Sequence, residues 1–141
     1  FPQPGFKFGE EVKRLFVQER KGRYQYMFMN RWLSLKQKGI CMSAFFEQKG
    51  IYSIAIYGVH YMGERLYDEL KESQVEVMYA IDRNTTGRGW NIPVFHPEDM
   101  LQDVGAVVIT PIFDFLEIKD MLSKKLDCPM LSIEEVLFYE Y

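Results

Sequence analysis

Ser53-Ile54-Ala55-Ile56-Tyr57-Gly58-Val59-His60-Tyr61-Met62-Gly63 decides how this chain is read. A short apolar run enters a glycine turn, and the turn opens a helix whose core face carries Leu66 and Leu70, four residues apart. A second apolar run, Val75 to Ile81, follows and ends in Asp82. Strand, glycine turn, helix and acid-tipped strand form the layout with which a βαβ unit holds a nucleotide. Gly58 permits the tight turn out of the strand, and Gly63 lets the helix lie close on the sheet. The helix start offers unpaired N–H groups and a partial positive charge to a phosphate.

His60 stands where the full motif has its middle glycine, the position at which backbone approaches a pyrophosphate without a Cβ in the way. It either donates to a phosphate placed differently or is a turn residue with no ligand. Asp82 lies about 19 residues beyond Gly63, where a carboxylate accepts from ribose hydroxyls. Its other reading is a strand-end aspartate that starts a turn with Asn84. Arg83 beside it either tolerates an extra phosphate or is solvated.

Working outward, strands and helices alternate. The helix after the glycine turn runs from about Met62 to Lys71, and a polar loop from Asp82 to Gly89 follows the second strand. Ile92 to Phe95 reads as a short strand, with a brief helix opened by Pro97. Ala106 to Thr110 is apolar throughout, as in a strand buried on both faces of a parallel sheet. Asp114 with Glu117 reads as an N-cap and capping-box partner for a helix to about Leu126, and Asp114 is in second place a ligand contact. Pro129 to Leu131 is a last short strand, and Ser132 with Glu135 caps a terminal helix. The expected fold is therefore α/β: a Rossmann-like parallel sheet of order 3-2-1-4-5, flanked by helices, with an N-terminal helical extension. Its ligand crevice falls where strand order reverses, between the strands at Ser53 and Ala106. Gly58, Val59, His60, Tyr61, Met62 and Gly63 face it from one side, Thr110, Pro111, Ile112 and Phe113 from the other, with Asp82 and Arg83 at the ribose end.

Residues 1–42 form the extension and residues 43–141 the nucleotide-binding domain. Phe1-Pro2-Gln3-Pro4-Gly5 is a lead-in without periodicity. Val12, Leu15 and Phe16 recur at helical spacing, and Lys21-Gly22 suggests a break. A second helix carries Tyr24, Met27, Phe28, Trp32 and Leu35 on one face and Tyr26, Met29 and Leu33 on a neighbouring one. A helix apolar on more than one side needs more than one surface to cover it, which suggests a homodimer or an upstream catalytic domain docking from Tyr24 to Leu35. Ser43 caps a short helix to Gln48.

Composition narrows the classes. The 141 residues are 48% hydrophobic and 26% charged, as in ordinary globular proteins. A net charge of −3 argues against general nucleic-acid binding. No apolar run approaches the roughly 18 residues of a membrane span, and no signal-peptide pattern opens the chain. Cys41 and Cys128 fit no metal or redox spacing, so a reduced, cytoplasmic setting is expected. A chain opening on Phe1 reads as a piece of something longer. His96, before Pro97 at a helix start, has a structural reading. Tyr67 and Lys71 match a short-chain dehydrogenase pair but fall on the helix after the glycine turn, where they cannot face a nicotinamide. No Walker loop, nucleophile elbow or metal-ligand cluster is present.

Ile56-Tyr57-Gly58, Gly63-Glu64-Arg65-Leu66, Ile81-Asp82-Arg83-Asn84, Ile92-Pro93-Val94 and Val108-Ile109-Thr110-Pro111 carry a family resemblance. The segment from Ile54 to Ile133 resembles the Rossmann-like domain of bacterial surface-polysaccharide biosynthesis proteins, appended to glycosyltransferases or heading nucleotide-sugar acetyltransferases. The helical preface resembles the segment that often precedes the appended form. The resemblance implies a bound nucleotide, NAD or a nucleotide-sugar, and an accessory domain that performs no chemistry alone. Two other readings stand beside it: an assembly or dimerisation module with a vestigial nucleotide site, and a small NAD-dependent sugar oxidoreductase.

Overall fold

A computed structural model describes residues 8–86 and 89–141, apart from the side chains of Phe8 and Phe16. The lead-in over residues 1–5 and part of the polar loop after Asp82 lie outside the described residues. The chain divides into two compact units between Lys38 and Gly39.

The first unit is one helix, α1 (Phe8–Gln37), with Glu10 and Glu11 in its first turn and Lys36 in its last, as the helix dipole favours. The break suggested at Lys21-Gly22 does not occur. A glycine inside a helix costs only about 1 kcal/mol relative to alanine, and the Arg23–Glu19 ion pair at 2.5 Å spans the position. The helix ends before Gly39, whose φ of 72° is the left-handed conformation that closes helices. The apolar residues do not sort as the sequence suggests. Phe28, Trp32 and Leu35 are buried, whereas Tyr24 and Met27 stay exposed with Tyr26, Met29 and Leu33.

The second unit is built from α2 (Ser43–Gln48), β1 (Ser53–Tyr57), α3 (Tyr61–Leu70), β2 (Glu76–Ile81), β3 (Val94–Phe95), β4 (Ala106–Ile109), α4 (Phe115–Ser123), β5 (Met130–Ser132) and α5 (Ile133–Leu137). Every strand pair is parallel and the order is β3-β2-β1-β4-β5, as expected. All four residues of β4 are fully buried, which is why that strand reads as apolar throughout. α3 packs on β1 and β2 through Leu66 and Leu70, and α4 packs on β4 and β5. On the α4 face, Ala55, Tyr57, Tyr79, Ile81, Val107 and Ile109 form one core with Ile118 and Leu122. β2 carries an extra residue against β1: Ile54 is level with Val77, but Ala55 is level with Tyr79. Met78 is the residue passed over, and it packs against the same core as Tyr79 beside it. Neighbours on a regular strand face opposite ways, so this is the signature of a bulge. No helix among the described residues is long and apolar enough to cross a membrane.

Four local expectations are corrected. Met42, not Ser43, is the N-cap of α2; Ser43 is buried in the helix, and the Met42 N–H donates to Glu69 Oε2 at 2.8 Å. Pro97 opens a turn rather than a helix, because His96 N–H is drawn to the Asp99 carboxylate and Glu98 N–H to His96 Nδ1. The structural reading of His96 rests on that bond. Asp114 holds the N-cap position of α4, as expected, but without a capping box: it ends a 3-10 turn (Ile112–Asp114) with φ −108° and ψ 13°, and its side chain makes no cap hydrogen bond. α4 stops at Ser123, short of Leu126. The capping box of Ser132 and Glu135 on α5 is present in full.

Tyr79 gives this core a pH signature. Its ring is buried and its hydroxyl donates to the Gln102 carbonyl at 2.6 Å. Burial pushes the phenol up to about 12 from the ordinary 10.0, with Cys128 and Asp103 adding to the rise. The unfolded chain therefore loses this proton first. The contribution of Tyr79 to stability is complete below pH 10 and is lost as pH rises through about 12. Burial also raises Tyr57 and Cys128, so the comparison that isolates Tyr79 is with Tyr79→Phe. The expected result is a urea midpoint that falls between pH 10 and 12, and falls less steeply in that variant.

Candidate functional site

β1 delivers the chain to Gly58, whose φ of 108° is closed to most side chains. A Cβ there would lie 2.3 Å from Thr110 Oγ1. The Gly58 N–H donates to Ile81 O at 2.9 Å, which completes the β1–β2 ladder. Gly63 is held more tightly still, since a Cβ would fall 1.9 Å from the Gly58 carbonyl oxygen. The turn and the first coil of α3 are thus in backbone contact, which is the packing that the third glycine of the motif exists to allow.

Asp82 is buried and locked to the turn. Its Oδ2 accepts from Val59 N–H at 2.7 Å and its Oδ1 from Asn84 N–H at 2.9 Å. The turn with Asn84 read from the sequence is therefore present, and the same carboxylate also fastens the glycine loop. His60 is the N-cap of α3 in extended conformation and makes no side-chain cap. Its imidazole is largely solvent-exposed, with Nε2 3.8 Å from Asp82 Oδ2. Glu64 N–H makes the first intrahelical bond, to His60 O. The amides of Tyr61, Met62 and Gly63 ahead of it have no intrahelical acceptor, as at every helix start.

A crevice of about 460 Å³ opens at this point, beyond the carboxyl ends of the strands. Gly58, His60, Asp82 and Arg83 line one wall. Tyr57 and Pro111 lie between, and Asp114, Glu117, Ile118 and Met121 come from the α4 side. The imidazole stands in the wall without filling the space. Of the residues expected at the site, Gly58, His60, Asp82, Arg83 and Pro111 line the crevice. Val59 is buried and contributes its N–H to Asp82. Gly63 is buried, the Met62 side chain is partly buried, and Tyr61 is 82% exposed. Thr110 is buried with its hydroxyl committed to Tyr57 O at 2.8 Å.

Tyr57, Glu117, Ile118 and Met121 are lining residues that the sequence reading passed over. Their signal was available in part: 114, 117, 118 and 121 are spaced as one face of a helix. Burial pushes the Tyr57 phenol above its usual range, while Arg83 beside it pulls the other way. Three carboxylates, at Asp82, Asp114 and Glu117, and one guanidinium surround an apolar patch of Ile118 and Met121. Such a lining takes hydroxyl groups on its acids and a flat or aliphatic body on its apolar side, with an anion at the helix start. Among the described residues no group of three His, Cys, Asp or Glu is placed to hold a metal. No family model, curated protein or solved structure matches the chain.

Proposed function

We propose that the unit from Gly39 onward is a nucleotide-binding accessory domain of a bacterial polysaccharide or sugar biosynthesis protein. It holds NAD or a nucleotide-sugar in the cytoplasm and performs no chemistry alone. The observation that supports this best is the uncapped start of α3 in the wall of an open crevice, at the point where strand order reverses. A phosphate at those amides would put the ribose toward Asp82, whose oxygens each keep capacity for a further hydrogen bond beyond the backbone N–H they hold. The remainder of the ligand would run along Asp114, Glu117 and the apolar side of α4.

A thermal-shift panel of NAD, NADP, UDP-sugars, CMP-sugars and coenzyme A tests the reading. A ligand at 100 times its dissociation constant adds about 2.7 kcal/mol to stability, and at least one nucleotide is expected to do so. Met121→Trp, which fills the crevice from its half-buried α4 wall, is expected to keep the fold and lose the shift. No stabilisation by any member, or an undiminished shift in Met121→Trp, overturns the assignment.

A further inference from the structure

We infer that α1 is the pairing element of a dimer, in which the α1 helices of two copies of this chain lie antiparallel. The observation is a seam. Val12, Leu15, Glu19, Gly22, Tyr26, Met29 and Leu33 follow one another at intervals of three and four residues, the repeat by which one helix offers a stripe to another. Leu15, Tyr26, Met29 and Leu33 are 53%, 73%, 41% and 57% exposed, a run of large apolar side chains facing water. The stripe covers about 32 Å at 1.5 Å per residue. It is distinct from the buried set Phe28, Trp32 and Leu35.

Charge selects the occupant and its direction. α1 carries Lys13, Arg14, Arg20, Lys21, Arg23, Arg31 and Lys36 against Glu10, Glu11 and Glu19. A second basic helix would be repelled if those cations flanked the stripe. The flanking positions instead hold Phe16, Gln18, Gln25, Asn30, Trp32 and Gln37, and the two charges among them, Glu11 and Arg23, are already paired with Arg14 and Glu19. A like copy therefore meets a border whose charges are satisfied within each helix.

Parallel pairing would set Glu19 against its own counterpart inside the seam, a buried like-charge contact. Antiparallel pairing instead gives the layers Val12 with Met29, Leu15 with Tyr26, and Glu19 with Gly22 of the second copy. It brings Gln18 beside Gln25, two side chains that hydrogen-bond each other without charge. The small Gly22 leaves room for Glu19 to reach past it to solvent. The dimer is independent of the nucleotide reading, because every residue involved belongs to the first unit.

Sedimentation equilibrium of the 141-residue chain across 1–100 µM, as an order of magnitude, reads the outcome. A mass near twice 16.7 kDa is expected. Leu15→Glu with Tyr26→Glu is expected to weaken association on the order of 100-fold with the melting transition of the α/β unit unchanged. Val17→Glu, off the stripe, is expected to leave the mass alone. A monomer throughout the range, or seam variants that still dimerise, overturns the proposal. Direction is read by cysteine pairing in a Cys41→Ser, Cys128→Ser background. Leu15→Cys with Tyr26→Cys is expected to cross-link between copies, and Tyr26→Cys alone is not. Cross-linking by Tyr26→Cys alone overturns the antiparallel arrangement.

Discussion

Gly63→Ala is expected to destabilise the α/β unit by about 3 kcal/mol or more, although the change adds a single methyl group. The added Cβ would stand 1.9 Å from the Gly58 carbonyl oxygen and 3.5 Å from Ile56 Cγ2. Its principal obstacle is backbone, which cannot rotate aside as a side-chain tip can. Relief requires α3 to lift from β1, which opens the contacts of Leu66 and Leu70 with the sheet. Against a domain stability of about 5–15 kcal/mol this is a large fraction, and it corresponds to a fall in melting temperature of roughly 12 °C or more. Chemical and thermal unfolding of the variant measure it directly. A loss below about 1 kcal/mol would mean that turn and helix are not in the contact described.

Asp82→Ala carries the second large effect, for a different reason. The carboxylate is buried and accepts two backbone N–H groups, Val59 at 2.7 Å and Asn84 at 2.9 Å. Alanine leaves the Val59 donor without its partner, and a buried donor without a partner costs about 1–3 kcal/mol in addition to the charge-assisted bond itself. A total of about 2–4 kcal/mol is expected. Asp82→Asn keeps the shape but offers one carbonyl oxygen and an NH₂ group, so one of the two backbone donors meets a donor. An intermediate loss is expected from urea titration of the three proteins. If stability were unchanged in Asp82→Ala, the carboxylate would not be the fastening of the glycine loop.

Much of the architecture was legible because it is written in local chemistry. The all-apolar run at Ala106, the glycines at 58 and 63 and the acid at 82 each have one economical structural use, and together they prescribe the strand order. Misreadings arose where a local signal was outweighed by its surroundings. Lys21-Gly22 looks like a helix end, yet flanking turns with good helix formers carry α1 through it. Asp114 has the identity of a cap, but the 3-10 turn before it leaves its carboxyl in the crevice wall. Pro97 suits a first helical turn, but side-chain acceptors on both sides claim the amides around it.

The site was legible on one side only. The glycine-loop wall is contiguous in sequence, so its residues could be named together. The opposite wall is a helix face set by the twist of the sheet, and Tyr57 enters it only because β1 presents that ring toward α4. The role of Asp82 depends on a contact across 23 residues of chain, from Val59 to Asp82, which spacing alone does not reveal.

The supernumerary residue in β2 acts as a spacer that sets phase. Because Met78 is skipped, Tyr57 comes level with Ile81 and the carboxylate arrives abreast of the loop it secures. Were Met78 paired in its turn with Ala55, the ladder would be regular, yet Ile81 would come abreast of Gly58 and the acid would shift along the strand by about 3.3 Å from its amide partner. A slip of pairing in this strand is therefore not a neutral adjustment: a single step switches the clasp off, while every apolar position in the segment keeps its chemical character.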